Sequence, residues 1–203
     1  MEETLQKFIQ LTNTQSDINE HLPTLEKYSR ECETILELGV RGVTSSWAFS
    51  YGLLNNNKPI KKLIMNDMDE CNITELLYKT ANTDLKINYY WINDLHLFLD
   101  NEVDLTFIDT WHVYAQLKRE LDKFSKITKK YIIMHDTTVD EWYGETIRSN
   151  WNSHEQSITS GFPVDEINKG LWPAIVEFLE ENTEWELHER FTNNNGLTIL
   201  KRK

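Results

Sequence analysis

Only two cysteines, Cys32 and Cys71, occur in 203 residues, and no Cys-x-x-Cys pair exists. That excludes a thiolate zinc site and fits a reducing compartment. Basic residues are scarce as well: 21 Lys and Arg stand against 33 Asp and Glu, a formal charge of −12. A surface of that sign repels phosphate backbones and anionic lipid, so neither nucleic acid nor a membrane is an expected partner. No window approaches the roughly 18 consecutive apolar residues of a membrane span. The opening Met1-Glu2-Glu3-Thr4 has no basic stretch and no long apolar run after it, so no signal peptide and a cytoplasmic location are expected. Internal repeats and low-complexity segments are also missing.

What is present suffices for one packed domain over 1–203: 39% hydrophobic and 11% aromatic residues supply a core. Residues 2–12 and about 21–33 read as helices, an N-terminal helical extension over 1–33. Short apolar runs follow at Thr34–Leu38, Lys62–Asn66, Lys86–Ile92, Val103–Ile108 and Lys130–Met134. They do not alternate strictly, which is how strands covered on both faces of a parallel sheet read. Helical patterns lie between them at 44–54, 71–81, about 94–100 and 113–127. In the last, Tyr114, Leu117, Leu121 and Phe124 step by three or four along one helix face. This alternation predicts an α/β, Rossmann-like doubly wound sheet with helices on both faces. Residues 137–170 read as a long irregular loop carrying Trp142, Tyr143, Trp151 and Phe162. A helix is expected from Leu171 to Glu181, then a hairpin of Trp185–Phe191 and Leu197–Lys201 around Asn195-Gly196.

Ligands of such sheets bind beyond the carboxyl ends of the strands. Every one of the first five strand ends carries polar or acidic residues: Glu37 to Thr44, Asp67-Met68-Asp69, Asn93-Asp94, Asp109-Thr110-Trp111-His112 and His135-Asp136-Thr137-Thr138. Gly39 and Gly42 let a backbone turn approach a ligand and feed a helix N-terminus, although any strand-to-helix turn can hold two glycines. Asp67 is placed to accept ribose hydroxyls, or is a solvated turn residue, as Asp69 also reads. Asp94 either meets an adenine amino group or caps a short helix. Asp109 and Asp136 are two carboxylates that can share one hard divalent cation. The imidazole of His112 can take a proton from a hydroxyl. The bland reading makes the two aspartates caps and His112 a packed side chain.

These residues carry a resemblance. Glu37-Leu38-Gly39-Val40-Arg41-Gly42 resembles the first motif of class I methyltransferases that use S-adenosylmethionine (SAM). Phe107 to Tyr114, with Tyr131-Ile132-Ile133-Met134-His135-Asp136-Thr137, is similar to the group containing cephalosporin-hydroxylase-like proteins and macrolide-sugar O-methyltransferases. Phe191 to Thr198 is similar to that group's terminal hairpin. The resemblance spans about 30–203 and implies seven strands, the last antiparallel. It implies SAM held by Glu37, Gly39, Gly42, Thr44, Asp67, Asp94 and Asp109. It implies Mg2+ or Mn2+ on Asp109, Asp136 and His135, with His112 as general base and Asp109 beside it. Two departures stand out: Arg41 and Val43 occupy positions where the common motif has glycines, and His135 replaces a glutamate.

The expected function is SAM-dependent O-methylation of a hydroxyl on a sugar or glycan-like acceptor, with a homodimer as the candidate assembly. Its rivals are a nucleotide-cofactor oxidoreductase on the same fold and a SAM-binding protein without catalysis. The missing third glycine and the terminal hairpin argue against the first; the atypical first motif suggests the second.

Overall fold

A computed structural model describes residues 2–203; position 1 of the expected domain lies outside the described residues. Two helices, α1 (Glu2–Thr12) and α2 (Leu22–Ser29), precede the sheet. Then β1 (Thr34–Leu38), α3 (Thr44–Leu54), β2 (Lys62–Asp67), α4 (Thr74–Thr80) and β3 (Lys86–Trp91) alternate. They are followed by β4 (Val103–Ile108), α5 (Tyr114–Phe124) and β5 (Thr128–His135). Three short helices come next, α6 (Glu145–Arg148), α7 (Ser153–Ser160) and α8 (Val164–Asn168). The chain closes with α9 (Leu171–Glu181), β6 (Trp185–Phe191) and β7 (Leu197–Arg202).

The seven strands form one sheet in the order β3-β2-β1-β4-β5-β7-β6. Strands β1 to β5 pair in parallel, while β7 is antiparallel to both of its neighbours, β5 and β6. The two-residue period of a strand sorts side chains onto opposite faces. Ile35, Leu105, Phe107, Ile133 and Ile199 face one core with α2 and α3. Leu36, Leu38, Ile132, Met134 and Leu200 face the other with α5 and α9. Strand β4 is buried at every residue, which is why its sequence shows no alternation. Edge strand β3 does alternate, because one of its faces is wet.

Two expected elements differ. The helix expected over 94–100 is a single 3-10 turn, Asp94–His96, because Asn93 caps it by accepting the Leu95 N–H at 2.9 Å and the chain is extended by Leu97. The stretch 137–170 is not irregular: it holds α6, α7 and α8. Helix α7 is capped by Asn152, whose side chain accepts the His154 and Glu155 N–H groups, and it ends at Gly161 with φ +77°. It buries no residue, so it leaves no apolar stripe to read. Among the described residues, no helix is long and apolar enough to cross a membrane.

The connections from β1 lead to β2 on one side, while β4 pairs on its other side. That reversal is a topological switch point, and the crevice beyond β1 and β4 is where a ligand belongs in this architecture.

Candidate active site

The loop after β1 is held from below and from the side. Gly39 has φ +84°, and a Cβ there would lie 1.9 Å from the Asp109 carbonyl oxygen, so only glycine lets the loop cross the end of β4. Gly42 has an ordinary backbone; a side chain there would meet only Thr44 Oγ1, at 3.7 Å. Arg41 and Val43 take left-handed φ values of 37° and 62°, conformations that glycine adopts at no steric cost. Asp67 holds this shape. Its Oδ2 accepts the Val40 and Arg41 N–H groups at 2.8 and 2.9 Å, and its Oδ1 accepts the Asp69 N–H at 2.9 Å. Burial opposes its charge, but the N–H groups of Arg41, Asp69 and Val40 outweigh burial and hold the carboxyl below its usual value.

A cleft of about 380 Å³ opens above this loop. Gly39 to Gly42, Thr44, Asp69, Asp109 and His112 line it, together with Asp17, Glu145 and Trp151. The volume suits a small ligand or cofactor. Three expected cofactor residues are placed differently. Glu37 is fully buried beneath the loop, where it accepts the Ser45 and Ser46 hydroxyls at 2.6 and 2.7 Å. Asp94 is turned under α5, where Gln116 Nε2 donates to it and to Glu120. Asp67 is engaged with the loop backbone, and Asp69 takes the place on the cleft lining expected of it. The sequence signal for Asp69 was its position two residues past Asp67.

Beside the cleft, residues from the ends of β4 and β5 converge. His112 Nε2 lies 3.2 Å from Asp109 Oδ1 and 3.1 Å from Asp136 Oδ2. His135 Nδ1 lies 3.3 and 3.2 Å from the same two oxygens. Burial opposes charge on both histidines, but Asp109 and its neighbours outweigh it: His112 is raised well above its usual value, and His135 to about 10. Burial likewise opposes the Asp109 charge, yet His112 and His135 hold its carboxyl far below the usual range. Both ring nitrogens of His112 face carboxylates, Nδ1 lying 3.3 Å from Asp140 Oδ2 without a well-formed hydrogen bond. Asp136 sits in a left-handed conformation, φ 56°, just past β5, and its Oδ1 is buried without a partner. Asp109, His112 and Asp136 offer donor atoms all within 4.8 Å of one another. An unsatisfied buried carboxylate oxygen in such a donor set fits a divalent cation. Asp140, Glu145 and Asp17 were not foreseen, because nothing local in the sequence marks them.

No protein-family model matches the chain, and no curated protein matches it by sequence. Solved structures do. The fold is that of the class I SAM-dependent methyltransferases, with the antiparallel seventh strand between β5 and β6. An O-methyltransferase from Bacillus cereus, in complex with S-adenosylhomocysteine (SAH), superposes with a TM-score of 0.64 at 14% identity, covering 99% of this chain and 91% of that one. The N-methyltransferase NodS from Bradyrhizobium japonicum WM9 superposes at 0.59 and 14% identity, covering 92% and 96%. SAH-bound methyltransferase PaMTH1 from Podospora anserina gives 0.56 at 16% identity, covering 98% and 87%.

Proposed function

We propose that this protein is a SAM-dependent O-methyltransferase acting on a hydroxyl of a sugar or glycan-like acceptor, assisted by a divalent cation. One observation carries the reading: at the switch point, the Gly39–Thr44 loop and the Asp109–His112–Asp136 cluster line or adjoin a single cleft. The loop suits the cofactor and the cluster suits a hydroxyl, which must lose a proton. An amine acceptor can attack as its neutral form and has less use for such a cluster.

SAM, when bound, would supply an electrophilic methyl group, and Asp109 and Asp136 would hold the cation, whose charge would orient the hydroxyl and lower its pKa. The loop backbone, with Thr44 and Asp69, binds the cofactor. Asp109 stands at the junction, its backbone packed on Gly39 and its carboxylate in the cluster. Asp109 and His112 face the acceptor, and the hydroxyl proton is drawn toward this paired group. Trp151, half exposed on the cleft lining, offers a flat apolar face for a sugar ring. Alignment of oxygen with methyl carbon and exclusion of water provide much of the acceleration.

The test is calorimetry with SAM and SAH, followed by transfer of labelled methyl from SAM to a panel of glycans and small hydroxylated compounds. His112→Ala is expected to lower kcat by about 10²–10⁴-fold with SAM affinity nearly unchanged. No SAM binding, with NAD binding instead, would make the protein an oxidoreductase. SAM binding with no transfer to any acceptor would make it a non-catalytic binding protein.

A further inference from the structure

We propose that Asp17 and Arg41 form a two-charge clasp for the α-amino-acid end of the cofactor, Arg41 taking its carboxylate and Asp17 its ammonium. The proposal rests on the SAM reading above and adds what fixes the cofactor's direction in the cleft.

Both residues line the cleft, and their side chains meet there. Arg41 Nη2 donates to Asp17 Oδ2 at 2.6 Å. Among the described residues, Arg41 is the only lysine or arginine on the lining, which also carries Asp69, Asp109 and Glu145. The Asp17 hydrogen bond outweighs burial and, with the charges of Asp109 and Asp136 behind it, raises the guanidinium above its usual value.

Each residue is held in place by something other than the pair itself. The Arg41 N–H donates to Asp67 Oδ2 at 2.9 Å, which keeps this residue at φ 37°. Glycine takes that backbone at no steric cost, so an arginine there supplies what glycine cannot, a charge on the cleft lining. Asp17 belongs to the segment between α1 and α2. The Ser16 N–H donates to Asn19 Oδ1 at 3.0 Å, and Asn194 Nδ2 donates to the Ser16 carbonyl at 2.8 Å. The Asp17 carbonyl lies 3.1 Å from His135 Nε2, and Ile18 is buried in the core.

Placement gives direction. Asp69 follows β2, whereas Asp17 leans on His135 at the end of β5, on the other side of β1 in the sheet. A nucleoside whose ribose meets Asp69 extends its thioether chain across the end of β1 toward Asp17 and Arg41. That chain ends in one carboxylate and one ammonium, the complement of the pair. The side chains are 80% exposed at Arg41 and 39% at Asp17, and an ion pair so exposed contributes little, so opening it costs little. A zwitterion replaces both halves of the interaction in kind. A phosphate or lone carboxylate would set a second anion against Asp17, and a lone amine would set a second cation against Arg41.

The experiment is calorimetry on the full chain with four adenosine thioethers: SAH, decarboxylated SAH, deaminated SAH and 5′-methylthioadenosine, which lacks both charges. A thermal melt checks the folding of each variant. The wild type should bind SAH at least about 10-fold more tightly than 5′-methylthioadenosine. Arg41→Gln should weaken SAH and deaminated SAH by about 10-fold or more and spare the other two. Asp17→Asn should weaken SAH and decarboxylated SAH by a similar factor and spare deaminated SAH and 5′-methylthioadenosine. Arg41→Lys keeps the charge and should retain most of the SAH affinity. Unchanged SAH affinity in both charge-removing variants, or equal losses across all four ligands, overturns the proposal. A wild type that binds 5′-methylthioadenosine as tightly as SAH overturns the clasp and keeps the nucleoside site. A wild type that binds none of the four defeats the SAM reading and the clasp with it.

Discussion

Glu37→Gln isolates one buried carboxyl and gives a stability change of known sign. Burial pushes the Glu37 carboxyl from 4.5 up to about 8, only partly offset by the hydroxyls of Ser45 and Ser46. Below pH 4.5 the group is protonated in both folded and unfolded chains and contributes no pH dependence. Between 4.5 and 8 the unfolded chain releases the proton and the folded one keeps it. The unfolded state then binds fewer protons, so stability falls as pH rises, by about 1.4 kcal/mol per unit at most. By pH 7 the accumulated loss is about 3 kcal/mol. Glutamine has no proton to release. Its carbonyl accepts one serine hydroxyl and its amide donates to the other, so the buried bonds survive. Urea unfolding of both proteins at pH 4.5, 6, 7 and 8 should show similar stability at the lowest pH and a gap opening to about 3 kcal/mol in favour of the glutamine variant at pH 7. Parallel curves across this window would refute the reasoning and place the Glu37 charge in contact with water. Calorimetry on the same variant should find SAM affinity close to wild type, because the carboxyl lies beneath the loop rather than in the cleft.

Gly39→Ala and Gly161→Ala both put alanine at positive φ, but only the first meets backbone, 1.9 Å from the Asp109 carbonyl oxygen. Thermal melts should show a cost of about 1–2 kcal/mol at 161 and a clearly larger one at 39, with SAM binding lost only at 39; equal costs would mean the loop yields freely. Asp67→Ala strips three backbone N–H groups of their acceptor and should lower both stability and SAM affinity. Asp69→Ala should weaken SAM by roughly 1.5–3 kcal/mol and leave the melt nearly unchanged; unchanged SAM affinity would remove Asp69 from the cofactor site.

The sequence by itself determined the sheet and its helices where burial leaves a pattern. Thr34–Leu38 and Val103–Ile108 were legible as strands because both faces are covered, and α5 because Leu117, Leu121 and Phe124 repeat at helical spacing against one core. The closing hairpin was legible from Asn195-Gly196, whose positive φ values of 67° and 98° suit those residue types. Strand ends also located Asp109, His112, His135 and Asp136, since in this architecture chemistry gathers there. Tertiary structure decided how these side chains are used. Helices of four to eight residues between 145 and 168 are too short to show periodicity, so only packing defines them. Asp67, Glu37 and Asp94 are acidic residues at equivalent strand ends, yet one holds a loop, one lies under it and one faces Gln116. Which way a carboxylate turns depends on donors brought near by the fold, from residues as far apart in sequence as 17, 112, 140 and 194. The same holds for the two histidine rings: Asp140 stands 3.3 Å from His112 Nδ1, and the Asp17 and Asn194 carbonyls lie against His135 Nε2. No local rule of sequence specifies those partners, because they meet only once the sheet, the N-terminal segment and the hairpin have packed together.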